Sequence, residues 1–131
     1  MPALLEGIVV VLVEDDPDAL ELFQFAINHQ GAVVVPAADA QSALNALGRM
    51  KPDVLVSDMS LPERDGSWLA SEARSRGMLN GVASLCVTAR AMTSEQVQQA
   101  GFDAYLRKPV DPTVLCATVH TLARPASQRS A

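Results

Sequence analysis

Hydrophobic residues along the chain occur in short continuous runs, and each run is followed by a stretch with helical spacing. The first run, Ile8 to Val13, consists of β-branched residues and one leucine, which is typical of a strand buried on both faces. It stops at an acidic turn in which Asp16 and Pro17 predict the cap and the first residue of a helix. That helix keeps an apolar face until Gly31, where we expect it to end.

The same order of strand and helix repeats along the rest of the sequence. Further strands are predicted at residues 33–35, 54–56, 82–87 and 104–106, and further helices at 39–50, 67–76, 93–100 and from 111 onwards. Asp111 and Pro112 are predicted to cap and begin the last of these helices. Strands that alternate with helices favour a parallel sheet covered on both faces, with right-handed crossovers. The predicted fold class is therefore α/β, a doubly wound five-stranded parallel sheet with five helices.

The length and composition are those of one domain. With 131 residues, of which 49% are hydrophobic and only 4% aromatic, the chain is long enough to bury a core of Val, Leu and Ala without disulfides. We predict an N-terminal extension over residues 1–6, a single domain over 7–123, and a flexible polar tail or linker over 124–131.

Charge and hydropathy argue against several classes of function. The net charge is −5 and the basic residues form no stripe, so direct binding of nucleic acid is not expected. The longest apolar run is far shorter than the roughly 20 residues of a membrane helix, and the chain start lacks the basic residues of a secretory signal. We therefore expect a cytoplasmic protein without membrane contact. Cys86 and Cys116 lack the CxxC spacing of redox and zinc sites and are predicted to be buried free thiols.

Polar side chains stand at the carboxyl ends of four of the predicted strands. They are Glu14 and Asp15 after the first strand, Asp58 after the third, Thr88 after the fourth and Lys108 after the fifth. Taken one at a time, such acids could cap helices or turns, and such a lysine could be solvated. Parallel sheets, however, bind ligands at the carboxyl ends of their strands, near the point where strand order reverses. The joint placement of these five polar residues predicts one site at one rim of the sheet.

The residue types at this rim suit phosphoryl chemistry. Three carboxylates that converge repel one another unless a cation lies among them, and Mg²⁺ prefers oxygen ligands of this kind. The Lys108 ammonium and the Thr88 hydroxyl could hold the oxygens of a phosphoryl group. In that setting Asp58 is the candidate nucleophile, which would form an aspartyl phosphate.

Four segments of the chain match the motifs of a known family. They are VLVEDDPDAL at residues 11–20, SDMSLPERDG at 57–66, CVTA at 86–89 and LRKPVDP at 106–112. With them the chain resembles the receiver domain of two-component response regulators, a flavodoxin-like fold, over about residues 7–123. Some segments look most similar to receivers attached to the C-terminal side of hybrid histidine kinases.

The resemblance implies a role for each site residue. Asp58 would accept a phosphoryl group from a phosphohistidine of a sensor kinase or of a histidine phosphotransfer protein. Asp15 and Asp58 would bind Mg²⁺ directly, Glu14 through water, and Ser60 through its backbone carbonyl. Thr88 and Lys108 would complete the catalytic set. The domain would then be no enzyme beyond its own phosphorylation and dephosphorylation.

The resemblance also implies a cis Lys108–Pro109 peptide and a switch in which Tyr105 turns inward as Thr88 moves. Output would pass through the face formed by the fourth helix, fifth strand and fifth helix. The interval between Thr88 and Lys108 is one or two residues shorter than is usual in the family, so we expect a reduced fourth helix or a reduced loop before it.

Three other functions remain as alternatives. A magnesium-dependent phosphatase that uses an aspartyl phosphate would need an acid two residues after the nucleophile, where this chain has Ser60. A histidine phosphotransfer module would need a four-helix bundle, whereas His29 and His120 lie at predicted helix ends of an α/β chain. A receiver-like scaffold that is never phosphorylated would not need the complete set of site residues.

Overall fold

The computed structural model describes residues 3–123 and alternates strictly between strands and helices. The strands are β1 (Val9–Val13), β2 (Val33–Ala37), β3 (Val54–Asp58), β4 (Ala83–Thr88) and β5 (Ala104–Arg107). The helices are α1 (Pro17–His29), α2 (Ala40–Arg49), α3 (Gly66–Ser75), α4 (Ser94–Gln99) and α5 (Pro112–Ala123). The predicted tail at 124–131 lies outside the described residues, as do residues 1 and 2.

All five strands form one parallel sheet in the order β2-β1-β3-β4-β5. The chain moves outward from β1 to β2 and then builds the other half through β3, β4 and β5, so the order reverses between β1 and β3. Val13 pairs with Ser57 across this point, and Asp58 pairs with Val87 of β4. The predicted α/β fold class is confirmed, and the register brings the strand ends of β1, β3 and β4 to one rim.

Side-chain oxygens define where the helices begin. Asp16 accepts a hydrogen bond from the Asp18 amide at 3.2 Å, and Asp111 accepts one from the Thr113 amide at 2.7 Å, so both predicted caps are confirmed. The other caps are Asp39, Asp65 and Thr93. The helix α4 has only six residues, in agreement with the expected reduction of this region.

Two apolar layers, one on each face of the sheet, form the core. Alternate residues of β1 serve both: Val10 and Leu12 pack in the layer beneath α1 and α5, while Val11 and Val13 pack beneath α2 and α3. This explains why the first strand is a continuous apolar run. No helix within residues 3–123 has the length and hydropathy needed to cross a bilayer.

The two cysteines are buried free thiols, as predicted. Burial raises the pKa of Cys86 to about 12, with a further contribution from the negative charge of Asp58. Burial also raises the pKa of Cys116. Both thiols are therefore protonated at neutral pH and act as small apolar core residues.

Gly66, the first residue of α3, allows this helix to begin against the end of β3. Its amide donates to the Met59 carbonyl at 2.8 Å. A Cβ at Gly66 would lie 2.5 Å from the Asp58 carbonyl oxygen and 3.1 Å from the Met59 Cα. Since both neighbouring atoms belong to the backbone, this clash could be relieved only by moving either α3 or the strand that carries Asp58.

We expect Gly66→Ala to lower the free energy of unfolding by about 1–3 kcal/mol, the usual cost of forcing extra volume into a packed site. The matched control is Gly48→Ala in α2, where a Cβ would meet only the Met78 Cε, at 3.5 Å. That change should be neutral or stabilise by roughly 0.5–1 kcal/mol. Urea unfolding of both variants measures the difference, and equal stabilities would contradict the close packing at Gly66.

Candidate functional site

One lysine and two buried carboxylates form the centre of the site. Lys108 Nζ donates to Asp58 Oδ2 at 2.7 Å and to Glu14 Oε1 at 3.0 Å. Glu14 is only 3% exposed and Asp58 6%, whereas the Lys108 side chain is 29% exposed. Lys108 follows β5 and reaches across the end of β4 to contact residues at the ends of β1 and β3.

Burial and pairing shift the pKa values of Glu14 and Lys108. Burial raises the pKa of Glu14, and the hydrogen bonds from Lys108 and from the Asp16 amide oppose this rise only in part. Burial by itself would lower the pKa of Lys108, but hydrogen bonds to Asp58 and Glu14 outweigh it and the pKa is raised. The lysine is therefore a fixed cation at neutral pH.

The predicted acidic cluster is present. Glu14, Asp15 and Asp58 each offer a carboxylate oxygen, and these oxygens lie within 4.8 Å of one another. Asp15 is exposed while the other two are buried, so the cluster opens to solvent on one side. Three hard oxygen donors with solvent access fit Mg²⁺, which retains several water ligands. The repulsion expected among these acids is partly offset by the Lys108 ammonium.

Ser60 lies beside the carboxylate of Asp58. Its amide donates to Asp58 Oδ1 at 3.1 Å, and its side chain is exposed. Both oxygens of Asp58 therefore have a donor, Ser60 on one and Lys108 on the other. These two contacts fix the plane of the carboxylate at the rim.

Thr88 and Tyr105 both contact the β4–α4 loop, defined here as residues 89–93. Thr88 is buried, and its Oγ1 accepts from the Arg90 amide at 3.2 Å. Tyr105 is half-buried, and its hydroxyl oxygen accepts from the Met92 amide at 3.3 Å. The Lys108–Pro109 peptide is cis, which confirms that expectation.

One contact at this rim was not predicted from the sequence. Arg107 Nε donates to the Ala89 carbonyl at 3.2 Å, and so binds the same loop as Tyr105. The only sequence signal was its position two residues after Tyr105 on one strand, which places both side chains on the same side of the sheet.

Comparison with known proteins identifies the family. The sequence model of the response regulator receiver domain family matches residues 10–120 of the chain. The chain belongs to this family. A 14.6 kDa protein of Leptolyngbya boryana is 38% identical to this receiver domain over 84% of the chain and 86% of its own length. The response regulator Rre1 of Synechocystis is 34% identical over 89% of the chain and 52% of its own length.

A solved structure agrees with this assignment. The receiver domain of the sensor histidine kinase PA1611 from Pseudomonas aeruginosa, with a magnesium ion coordinated in its active site cleft, has a TM-score of 0.82 and 28% identity. The match covers 89% of this chain and 98% of that one. The present chain spans about half the length of several curated relatives that it matches. Its attachment to a hybrid kinase stays a prediction.

Replacing Lys108 should expose the electrostatic cost of the site. Lys108→Met leaves the buried carboxylates without their shared cation, so we expect a loss of about 2 kcal/mol in unfolding free energy at pH 7, less than for a fully buried pair because the site is partly open. The matched control is Lys51→Met. Lys51 is exposed, and none of the ion pairs found within residues 3–123 includes it.

The loss of unfolding free energy caused by Lys108→Met should be smaller at pH 4.5 than at pH 7. Because the folded-state pKa of Glu14 is raised above its ordinary value of 4.5, its contribution to stability is greatest below 4.5 and is lost as pH rises through the folded-state pKa. Protonation of Glu14 also removes one of the carboxylates that Lys108 pairs with. Denaturant unfolding of the parent and of Lys108→Met at both pH values measures the difference. A loss that grows on acidification would contradict the role of Lys108 in stabilising the buried carboxylates.

Proposed function

We propose that this receiver domain accepts a phosphoryl group on Asp58 from the phosphohistidine of a sensor kinase or phosphotransfer protein, with the help of Mg²⁺. The observation that carries the proposal is the environment of Asp58, a buried carboxylate held by Lys108 at 2.7 Å and within 4.8 Å of two further carboxylates. Membership of the receiver family supports the same role in two-component signalling.

The transfer needs only positioning and charge neutralisation from the protein. An Asp58 carboxylate oxygen attacks phosphorus, an O–P bond forms, and the P–N bond to the donor imidazole breaks with its electron pair left on the nitrogen. Lys108, already within hydrogen-bond distance of Asp58, is placed to follow the new negative charge onto a phosphoryl oxygen. Thr88, buried at the end of the neighbouring strand, supplies a hydroxyl donor.

The acidic cluster supplies the residues for metal binding. Asp15 and Asp58 would bind Mg²⁺ directly, Glu14 through water and Ser60 through its backbone carbonyl. The ion would neutralise negative charge on the incoming phosphoryl oxygens. The open side of the cluster, where Asp15 is exposed, gives both the ion and a phosphodonor access to Asp58.

Phosphorylation would then change the surface formed by α4, β5 and α5, through Thr88 and the switch residue Tyr105. The contact between the Tyr105 hydroxyl and the Met92 amide supports this, because movement of the loop after Thr88 disturbs that bond. Turnover as a phosphatase for other substrates is disfavoured by Ser60, whose hydroxyl replaces the acid that such enzymes use.

Incubation with a small phosphodonor such as acetyl phosphate and Mg²⁺ should add one phosphoryl group, seen by intact mass spectrometry. Asp58→Asn should abolish it, because an amide lacks the nucleophilic carboxylate. The control is Asp65→Asn, which makes the same chemical change at the end of the loop that follows Asp58 while preserving the cap of α3. Undiminished single phosphorylation of Asp58→Asn would refute the acceptor.

Magnesium should raise the melting temperature of the unphosphorylated domain. An ion that binds only the folded state adds about 1.4 kcal/mol at roughly ten times its Kd, which is a few degrees for a domain of this size. Asp15→Asn should reduce the shift. Asp16→Asn, the same change one residue later, should retain it, because Asp16 caps α1 and lies outside the cluster. Equal shifts in both variants would place the ion elsewhere.

A further inference from the structure

The strand β5 presents two polar side chains on the same side of the sheet. Ala104 and Leu106 pack in the apolar layer beneath α1 and α5. Tyr105 packs on the opposite side, in a cluster that contains Val97 of α4. Because alternate residues of a strand point the same way, Arg107 shares the side of Tyr105. Both therefore face the β4–α4 loop.

These two side chains bind the loop at two points. Arg107 Nε donates to the Ala89 carbonyl at 3.2 Å, at the beginning of the loop. The Tyr105 hydroxyl accepts from the Met92 amide at 3.3 Å, just before the Thr93 cap of α4. The loop is thus attached to β5 at both ends, through one carbonyl and one amide.

The attachment at Ala89 differs from the neighbouring contact within the sheet. The Lys108 amide donates to the Thr88 carbonyl at 2.7 Å and extends the pairing of β4 with β5. Arg107, through its side chain, therefore binds the Ala89 carbonyl, and Lys108, through its backbone amide, binds the preceding carbonyl of Thr88. The bond from Arg107 is longer and exposed. It can open while the bond within the sheet stays intact.

We propose that Arg107 is a positioning residue that holds the β4–α4 loop in the arrangement in which Lys108 binds the Asp58 carboxylate, and so opposes phosphorylation. This inference rests on the function proposed for Asp58. A phosphoryl group there draws the Thr88 hydroxyl towards it, and Ala89 moves with Thr88 because they share a peptide bond. The bond from Arg107 must open for that movement, so its strength sets how readily the loop follows.

Two variants with the same net charge distinguish the effect of the hydrogen bond to Ala89 from the effect of the positive charge of Arg107. In Arg107→Gln the amide nitrogen lies the same number of bonds from the backbone as the arginine Nε, so a donor to Ala89 is kept. Arg107→Met has similar length and no donor. Both variants remove one positive charge, and any effect of that charge on Mg²⁺ or on an anionic phosphodonor is therefore the same in both.

The affinity for beryllofluoride, which mimics a phosphoryl group on a carboxylate, and the rate of phosphorylation by acetyl phosphate measure the effect. We expect Arg107→Met to exceed Arg107→Gln by roughly three- to tenfold in both, the range set by one exposed hydrogen bond. Mg²⁺ affinity from calorimetry should be equal in the two variants. Equal affinities and rates, or a faster Gln variant, would overturn the proposal.

The amide NMR signals of residues 89–92 test the contact independently of phosphorylation. In Arg107→Met they should shift or broaden relative to Arg107→Gln, because the loop is released, while those of residues 83–88 in β4 stay in place. Unchanged loop signals would overturn the proposal even if phosphorylation is normal. Failure of the parent protein to take up a phosphoryl group would instead refute the function proposed for Asp58, and with it the effect of Arg107 on phosphorylation. The NMR comparison would still show whether Arg107 holds the loop.

Discussion

The ammonium group of Lys108 lies between the carboxylates of Glu14 and Asp58, two acids that are almost fully buried. Two negative charges at this depth would repel each other and lose much of their hydration. The lysine makes their burial tolerable, and it can do so only if the ends of β1 and β3 and the segment after β5 meet at one rim. The strand order and the parallel register provide that meeting point.

The segments around Asp58 are held by different kinds of contact, close backbone packing on one side and side-chain hydrogen bonds on the other. The β3–α3 side is fixed by packing, because Gly66 places α3 directly against the backbone of Asp58. The β4–α4 side is held by two side-chain hydrogen bonds, a part-buried one that the Tyr105 hydroxyl accepts and an exposed one that Arg107 donates. Contacts of the second kind have small net free energies, so Asp58 is held more firmly than the loop beyond Thr88.

Much of the fold was predictable because its signals are local. The alternation of apolar runs with helical spacing is read directly from neighbouring residues, as in the run from Ile8 to Val13 and the caps at Asp16 and Asp111. That Glu14, Asp15, Asp58 and Lys108 come together was predictable for a related reason. Each stands at the carboxyl end of a strand, and a parallel sheet gathers those ends whatever the details of packing.

The sequence by itself thus determined the fold class, the rim on which the site lies and the residue types available there. Only the tertiary structure decided which of these atoms touch. Lys108 binds partners 50 and 94 residues away, and Arg107 reaches a carbonyl 18 residues earlier. Such contacts depend on strand order, register and side-chain reach together. Local periodicity specifies none of these, because the free energy that selects them comes from packing the whole sheet against its helices.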